Sequence, residues 1–489
     1  MKIAALSAVL LGGVAVLAPQ AALASARESW SFHADHVLGT SLDIIAVAGN
    51  EEMAELASAA AQSEINRLDP ILSGWRSDSE LKALNSAPAM ATSPDLFNVI
   101  AAGEKWRAST GGAFSARLGG LDSAVYVTGD QRSRLAVAID HAPVTLDKAS
   151  RTIGRPECVR FAIDGLAKGY IIDRAMEAAR RVPGIQGLMI NIGGDLRCWG
   201  AAPTAAGWRI GVVDAAHSAD NDAPVAVLNL ADRAVATSGR GPRGQTILEP
   251  ATGQLANHVA MATAVAYHAA DADALASAFA VMPPEDSIRL ADSIPGVSAH
   301  IVAADGQTHL SRDWNDLVVA QAENARKPAA DARPVTGAPW PQGFSLKIDY
   351  EIPSMGDGRR SRNPYVTLWV TNESGNLVRV LTYLAGKRRY LDENYVFWGR
   401  FGTKLPDLVE SVTRPTRSPG RYTLIWNGRD DQGRAMPQGN YVLNVEAARE
   451  HGGHSIQRIN LTLAAGVVSA SAPAQDEIGE TGVTYGNNP

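Results

Sequence analysis

Three places along the chain bring together residue types that can handle a charged phosphate. In "FAIDGLAKGYIID" (residues 161–173) a strand-like run turns into a helix-like one, and Lys168 stands at the changeover between Gly165 and Gly169. Glycines at such a junction let backbone approach a ligand closely, and the amides of a first helical turn face an anion. The same residues also serve a plainer purpose, tight packing with Lys168 in solvent, and this segment alone does not separate the two. "MINIGGDLRCWG" places Gly193, Gly194 and Asp195 at the end of an apolar strand, where ligands commonly lie in sheet-containing folds. "VATSGRG" and "STGGAF" add hydroxyl- and glycine-rich turns suited to a pyrophosphate, although one such turn by itself is only a turn. In "DADALASAF", Asp273 and Ser277 are four apart and share one helical face. Hard cations such as Mg2+ take such oxygen ligands alongside substrate phosphates. The alternative is a set of acids favouring the helix dipole, and Asp271 fits that role.

These residues need elements to hold them. "EEMAELASAAAQSEINRLDP" has Met53, Leu56, Ala57, Ala60 and Leu68 at helical spacing, with Pro70 as the expected stop. Helix-like "SPDLFNVIAAGEKWRAST", strand-like "ECVRFAI", helix-like "AKGYIIDRAMEAARR" and strand-like "GLMINIG", "WRIGVV" and "VAVLNL" follow. The helix "DADALASAFAVM" and the strand "AHIVAADG" close the pattern. This mixture implies an α+β or α/β body over residues 27–320. Residues 321–342 carry a linker's Pro, Ala and charge. Residues 343–465 ("FSLKIDYEI", "PYVTLWVTN", "LVRVLTYL", "RYTLIWNG", "NYVLNVEAA") alternate like strands between turn signals and predict a small all-β sandwich, and the stretch "YTLIWNGRDDQGRAMPQGNYVLNVEA" resembles the end of immunoglobulin-like sandwich modules. Residues 466–489 show no core and are expected to be disordered. Asp430 and Asp431 in "GRDDQGRAMPQG" are either calcium ligands or part of a solvated loop.

Bulk properties narrow the classes. A chain of 489 residues with 46% hydrophobic content exceeds one compact core. A formal net charge of -6 argues against a nucleic-acid binder and for small-molecule or protein partners. Lys2, the run "IAALSAVLLGGVAVLA" and the small residues Ala22 and Ala24 read as a secretory signal over residues 1–24, cleaved near Ala24; a membrane anchor is the competing reading, for which the run is short. Cys158 and Cys198 are too few for a disulfide framework and either pair or remain free thiols.

Taken in order, "LGTSLDI", "NRLDPILSGWRSDSELKALN", "STGGAFSARLGG", "DGLAKGYIID", "MINIGGDL", "VATSG", "ILEPATG" and "ADALASAF" resemble the ApbE family of FAD:protein FMN transferases. The resemblance covers roughly residues 30–314 and implies an α+β fold of mixed sheets with packed helices. It implies a periplasmic or exported enzyme that uses FAD as substrate and Mg2+. Such an enzyme moves FMN onto a threonine or serine hydroxyl of an envelope redox protein and releases AMP. Residue by residue, the resemblance puts Trp75 against the flavin, where a large π-face suits the ring; core packing is the competing role. It puts Leu38, Ala113, Phe114, Ser115, Asp164, Lys168 and Ile247 (or its neighbour Leu248, on a strand beside the adenine or ribose) at the FAD site. Gly165 would offer its backbone carbonyl to the cation, with Asp273 and Ser277 as side-chain ligands. The β-rich region resembles a periplasmic domain of unknown function, and a docking role there rests only on the fusion.

Several positions depart from the family pattern. Ala162 stands where an acid is common six residues before the lysine, with Asp164 displaced by two. Ser115 stands where an aspartate is frequent. "TILEPATG" carries Thr246 in place of a histidine proposed to activate the acceptor, and Glu249 in place of an aspartate. Threonine is no general base at neutral pH; His258 downstream is a compensating candidate or a structural histidine. Transfer of FMN therefore stands beside two alternatives, FAD hydrolysis to FMN and AMP by the same site, and flavin binding without turnover. No catalytic base is assigned.

Overall fold

The computed structural model describes residues 27–122, 129–203, 207–212, 225–239, 247–321, 337–354, 363–385, 388–405, 413–414, 416–417, 419–449 and 453–487. The expected leader, most of the expected linker and Thr246 lie outside the described residues.

An eight-stranded sheet organises the first body: β1 (Ser29–Val37), β2 (Thr40–Ala48), β3 (Ile185–Ile192), β4 (Asp195–Gly200), β5 (Ala234–Gly239), β6 (Val259–Ala266), β7 (Ser298–Ala303) and β8 (Thr308–Leu310). Spatial order follows chain order, and each neighbouring pair is antiparallel. The long excursions out of this meander carry the helices α1 (Glu51–Leu72), α2 (Pro94–Ser109), α3 (Asp164–Ala179) and α4 (Ala269–Phe279). Both faces of the sheet are covered, which is why its strands read as continuous apolar runs. Ile44, Ala46, Ile190 and Ala264 pack on the helices. Val47, Met189, Val235 and Val265 pack instead on Trp208, Leu228 and Trp314, beneath a small sheet of residues 208–212, 226–230 and 318–321.

The helix α1 starts at Asn50, whose side chain accepts from the Met53 amide at 3.0 Å. It buries Ala54, Ala57, Ala61, Ile65 and Leu68, while Leu56, expected on that face, is exposed. Pro70 does not stop the helix. It sits in the last turn, where its missing amide removes one bond, and Leu72 is still buried before Ser73 ends the element. α3 packs against both α1 and α4. The expected strand "ECVRFAI" lies outside the sheets: Glu157 and Cys158 form a turn, Arg160 makes an isolated parallel bridge to Leu118, and Asn85 brackets Phe161 through its amide and carbonyl. The apolar content of that run reflects burial of Val159, Phe161 and Ile163, not sheet membership.

The second body is all β, with strands β9 (Phe344–Ile352), β10 (Tyr365–Asn372), β11 (Leu377–Leu384), β12 (Thr413–Arg414), β13 (Gly420–Trp426), β14 (Gly439–Ala448), β15 (His454–Leu463), β16 (Val468–Ala472) and β17 (Thr481–Asn487). They form sheets of order β13-β9-β17-β16 and β12-β11-β10-β14-β15, a two-sheet arrangement compatible with the immunoglobulin-like form. The expectation of a disordered tail over residues 466–489 is wrong. β17 lies inside its sheet, paired to β9 on one side and β16 on the other, and Ile478, Val483 and Tyr485 are buried in the shared core. Their wide spacing among glycines and polar residues hid them, because a strand inside a sheet needs only alternate side chains to be apolar. The acids of the 428–438 loop are used internally. Asp430 accepts from the Gln432 and Arg434 amides and pairs with the Arg434 guanidinium at 2.6 Å, while Asp431 accepts from the Val380 amide.

Candidate functional site

One cleft of about 1570 Å³ in the first body collects the residues that the resemblance assigns to FAD and the cation: Leu38, Trp75, Ala113, Phe114, Ser115, Asp164, Gly165, Lys168, Ile247, Asp273 and Ser277. Its floor is the contact between α3 and α4. Asp164 and Lys168 are one turn apart on α3, and Asp273 and Ser277 are one turn apart on α4. Two glycines set how closely the helices approach. A Cβ at Gly165 would lie 2.7 Å from Ser277 Oγ, and one at Gly169 would lie 2.2 Å from the Ala269 carbonyl oxygen. Gly169 is thus a packing glycine, and Gly165 puts backbone beside a hydroxyl inside the cleft. The packing reading of "DGLAKGYIID" holds at Gly169, and Lys168 is paired with Asp195 instead of standing in solvent.

The Gly169 amide, the α-helical partner of the Gly165 carbonyl, donates to Asp273 Oδ2 at 3.1 Å. Lys168 Nζ lies 2.7 Å from Asp195 Oδ2, and the Thr237 amide donates to Asp195 Oδ1 at 3.3 Å. Asp195 is set there by the two-residue turn through Gly193 and Gly194, both at positive φ, that joins β3 to β4. Those glycines shape the hairpin while Asp195 itself reaches the cleft. Leu38 and Gly39 make the matching turn between β1 and β2, with Leu38 held at φ 51°.

Burial governs the charges. It pushes the Asp273 carboxyl up to about 8, the negative charge of Asp195 adds to the effect, and Lys168 opposes it. Burial likewise raises Asp195, against the pull of Lys168. For Lys168 burial works against the ammonium, but Asp195 and Asp273 outweigh it and hold its pKa above the ordinary value. The pocket therefore has two buried acids served by one cation, and burial favours the neutral form of Asp273. A hard divalent cation beside Asp273, Ser277 Oγ and the Gly165 carbonyl would relieve that imbalance. Among the described residues no three His, Cys, Asp or Glu cluster as a protein cage.

Trp75 is 91% exposed, which excludes core packing as its role. It stands on the turn after α1, where Ser73 Oγ accepts from the Trp75 and Arg76 amides at 3.3 Å, and Arg76 pairs with Asp78 at 2.8 Å. Phe114 is buried in the opposite wall, its amide donating to Thr110 Oγ1 at 3.0 Å after a turn through Gly111 and Gly112. A Cβ at Gly74 would lie 3.5 Å from Asp164 Oδ1, so Asp164 faces the turn that carries Trp75. Ile247 lines the cleft from extended chain, not from the expected strand; its neighbour Leu248 makes a single bridge to Leu255.

His258 does not line the cleft. It lies in a separate hollow with Glu285 and His309, so it does not stand in for the missing histidine. Cys158 is exposed and Cys198 is buried on β4; both are free thiols. Sequence reasoning missed Asp69, Arg76 and Leu255 on the cleft wall, and it noted Asp195 without identifying it as the partner of Lys168. That partnership is invisible in sequence, because a helix and a strand far apart along the chain supply it.

The profile of the ApbE family matches residues 38–301, and that of a predicted periplasmic protein (DUF2271) matches residues 345–480. The FAD:protein FMN transferase of Treponema pallidum (strain Nichols) is 27% identical over 290 residues, covering 52% of this chain and 79% of the relative. That of Vibrio cholerae serotype O1 is 27% identical over 264 residues, covering 48% and 77%. Among solved structures, the apo form of Pseudomonas stutzeri flavinyl transferase ApbE aligns with a TM-score of 0.52 at 22% identity, over 60% of this chain and 98% of that one. The Thermotoga maritima ApbE protein aligns with a TM-score of 0.52 at 24% identity, over 59% and 99%. At these identities the structures speak for the fold of the first body.

Proposed function

From the premise that the chain belongs to the ApbE family, we propose that it is an FAD:protein FMN transferase acting outside the cytoplasm. It moves FMN from FAD to a threonine or serine hydroxyl of an envelope redox protein and releases AMP. The observation that carries this reading is the cleft itself: an exposed tryptophan at its mouth, and at its floor Lys168, Asp195 and Asp273 beside the Gly165–Ser277 contact. An exported location draws support from the signal-like N-terminus and from the description of the matched C-terminal domain.

In this reading Trp75 offers its face to the isoalloxazine ring, and Phe114, Ala113 and Leu38 line the walls around the dinucleotide. Lys168, kept charged by Asp195, stabilises the pyrophosphate, and Asp164 and Ser115 present polar groups to the rest of the FAD. Asp273, Ser277 and the Gly165 carbonyl would hold a magnesium ion, which supplies charge neutralisation on the phosphates and the leaving AMP. The acceptor oxygen forms a bond to the FMN phosphorus, the bridging P–O bond breaks with its electron pair going to AMP, and the hydroxyl proton passes to solvent. The cleft's contribution is positioning and electrostatics, the larger part of phosphoryl-transfer catalysis.

Thr246, where a histidine is common, keeps water in play as a second acceptor, giving FMN and AMP. The test is AMP release by the mature chain with FAD and Mg2+, with and without a candidate acceptor bearing an exposed threonine. Acceptor-dependent AMP with flavin covalently on the acceptor supports transfer. AMP without labelling establishes hydrolysis, and bound FAD without AMP under any condition rejects both reactions.

A further inference from the structure

The last residue of "DGLAKGYIID" has no part in the function so far. Asp173 is partly buried on α3, facing the start of α4. Its Oδ1 accepts from the Ala269 amide at 2.9 Å and its Oδ2 from the Ala270 amide at 3.0 Å, the first two residues of α4. No side chain of α4's own N-cap residue, His268, caps the helix. Asp173 also pairs with Arg197 Nη1 at 2.8 Å, and Arg197 lies on β4, two residues after the Asp195 that holds Lys168. In the opposite direction, the Gly169 amide of α3 donates to Asp273 on α4. The two helices are latched reciprocally, a carboxylate of α3 on the amides of α4 and an amide of α3 on a carboxylate of α4, with Gly169 giving the room.

We propose that Asp173 is the positioning residue of the cation site: with Arg197 it fixes the register of α4 against α3 so that Asp273 and Ser277 meet the Gly165 carbonyl. The inference rests on the reading of Gly165, Asp273 and Ser277 as the cation's ligands. Three charge-assisted bonds from one partly buried carboxylate join α3, α4 and β4, the elements that carry Gly165 and Lys168, Asp273 and Ser277, and Asp195. Loss of the carboxylate frees α4 to slide or rotate at the end nearest Asp273. Partners that orient metal ligands typically contribute about 10- to 100-fold in metal affinity.

The test uses the full mature chain saturated with FAD and follows Mn2+ binding through the loss of the free-ion electron paramagnetic resonance signal. Asp173→Ala weakens Mn2+ binding by about tenfold or more, and Asp173→Asn, which keeps one acceptor of the same shape, weakens it less. Asp95→Asn, in the Arg67–Asp95–Tyr170 network outside the cleft, leaves it unchanged and controls for general destabilisation. Mn2+ affinity in both Asp173 variants equal to the parent's, or an equal loss in Asp95→Asn, overturns the proposal; if Asp173→Ala does not fold, Asp173→Asn alone decides it. A parent that binds no Mn2+ with FAD present rejects the cation reading and this inference together, whereas a parent that binds and Asp173 variants that bind as well reject the inference alone.

Discussion

Replacing Trp75 by alanine separates a binding role from a structural one more sharply than any other change in the cleft. Its side chain is 91% exposed, and the bonds that shape its turn run from backbone amides to Ser73 Oγ. Truncation therefore removes almost no buried surface, and folding stability should move within about 0.5 kcal/mol of the parent. A flavin ring stacked on the indole loses that platform, and stacking of a planar base on an aromatic side chain contributes about 1–3 kcal/mol. At about 1.4 kcal/mol per tenfold, the FAD dissociation constant should rise about 5- to 150-fold. Trp75→Phe keeps a π-face and should recover most of the affinity. Flavin fluorescence titrations at fixed Mg2+ read the affinity, and urea unfolding monitored by circular dichroism reads the stability. An FAD affinity within about twofold of the parent would refute the stacking assignment. A stability loss above about 1.5 kcal/mol would refute the premise that the side chain stands free of the fold.

Three further outcomes follow from the same geometry. Gly169→Ala gains about 1 kcal/mol of helix propensity. Its Cβ, however, would lie 2.2 Å from the Ala269 carbonyl oxygen and 2.5 Å from the carbonyl carbon, backbone atoms that cannot swing aside. Against backbone that cannot yield, the crowding costs about 2–3 kcal/mol, so urea unfolding should show a net loss of about 1–2 kcal/mol; a variant as stable as the parent would contradict the helix contact. Because burial raises Asp273 to about 8, the folded apo protein keeps a proton that the unfolded chain releases near the ordinary carboxyl value. Its stability should fall as pH rises from about 4 toward about 8. Cation binding should strengthen about tenfold per pH unit over the upper part of that range and level off above about 8. Mn2+ titrations from pH 6 to 9 and denaturation curves check both, and Asp273→Asn should flatten the stability profile. Deleting residues 466–489 removes Ile478, Val483 and Tyr485 from the sandwich core. At about 1.5–3 kcal/mol per buried side chain the loss is about 5–9 kcal/mol, comparable to a whole domain's stability. Calorimetry should show the sandwich transition gone, and its persistence would rule out β17 as a core strand.

Local signals mark the Gly165–Lys168 junction and the Asp273–Ser277 spacing, each within one or two turns of chain and each equally readable as packing or a helix dipole, whereas Trp75, Phe114 and Ile247 come only from the family resemblance. What escaped were relations. Asp173 looked like any polar helix residue, since the amides it caps belong to Ala269 and Ala270, and nothing in its own segment announces them. The tail was misread for the same reason. Val483 and Tyr485 alternate with Gly482 and Thr484, and such a thin pattern becomes a strand only when β9 supplies the other half of its hydrogen bonds.

By itself the sequence determined the break between a mixed body and a β-rich one and most of the helices and strands, because helical and strand periodicity are local properties of the chain, while the cast of the cleft came from the ordered motifs that resemble the ApbE family. The tertiary structure alone decided which charges meet. Asp195 came to Lys168, Asp173 to the first amides of α4, and Gly169 to the Ala269 carbonyl. Burial then took these groups out of water and pushed Asp273 to about 8, a value that depends on surroundings no local pattern encodes.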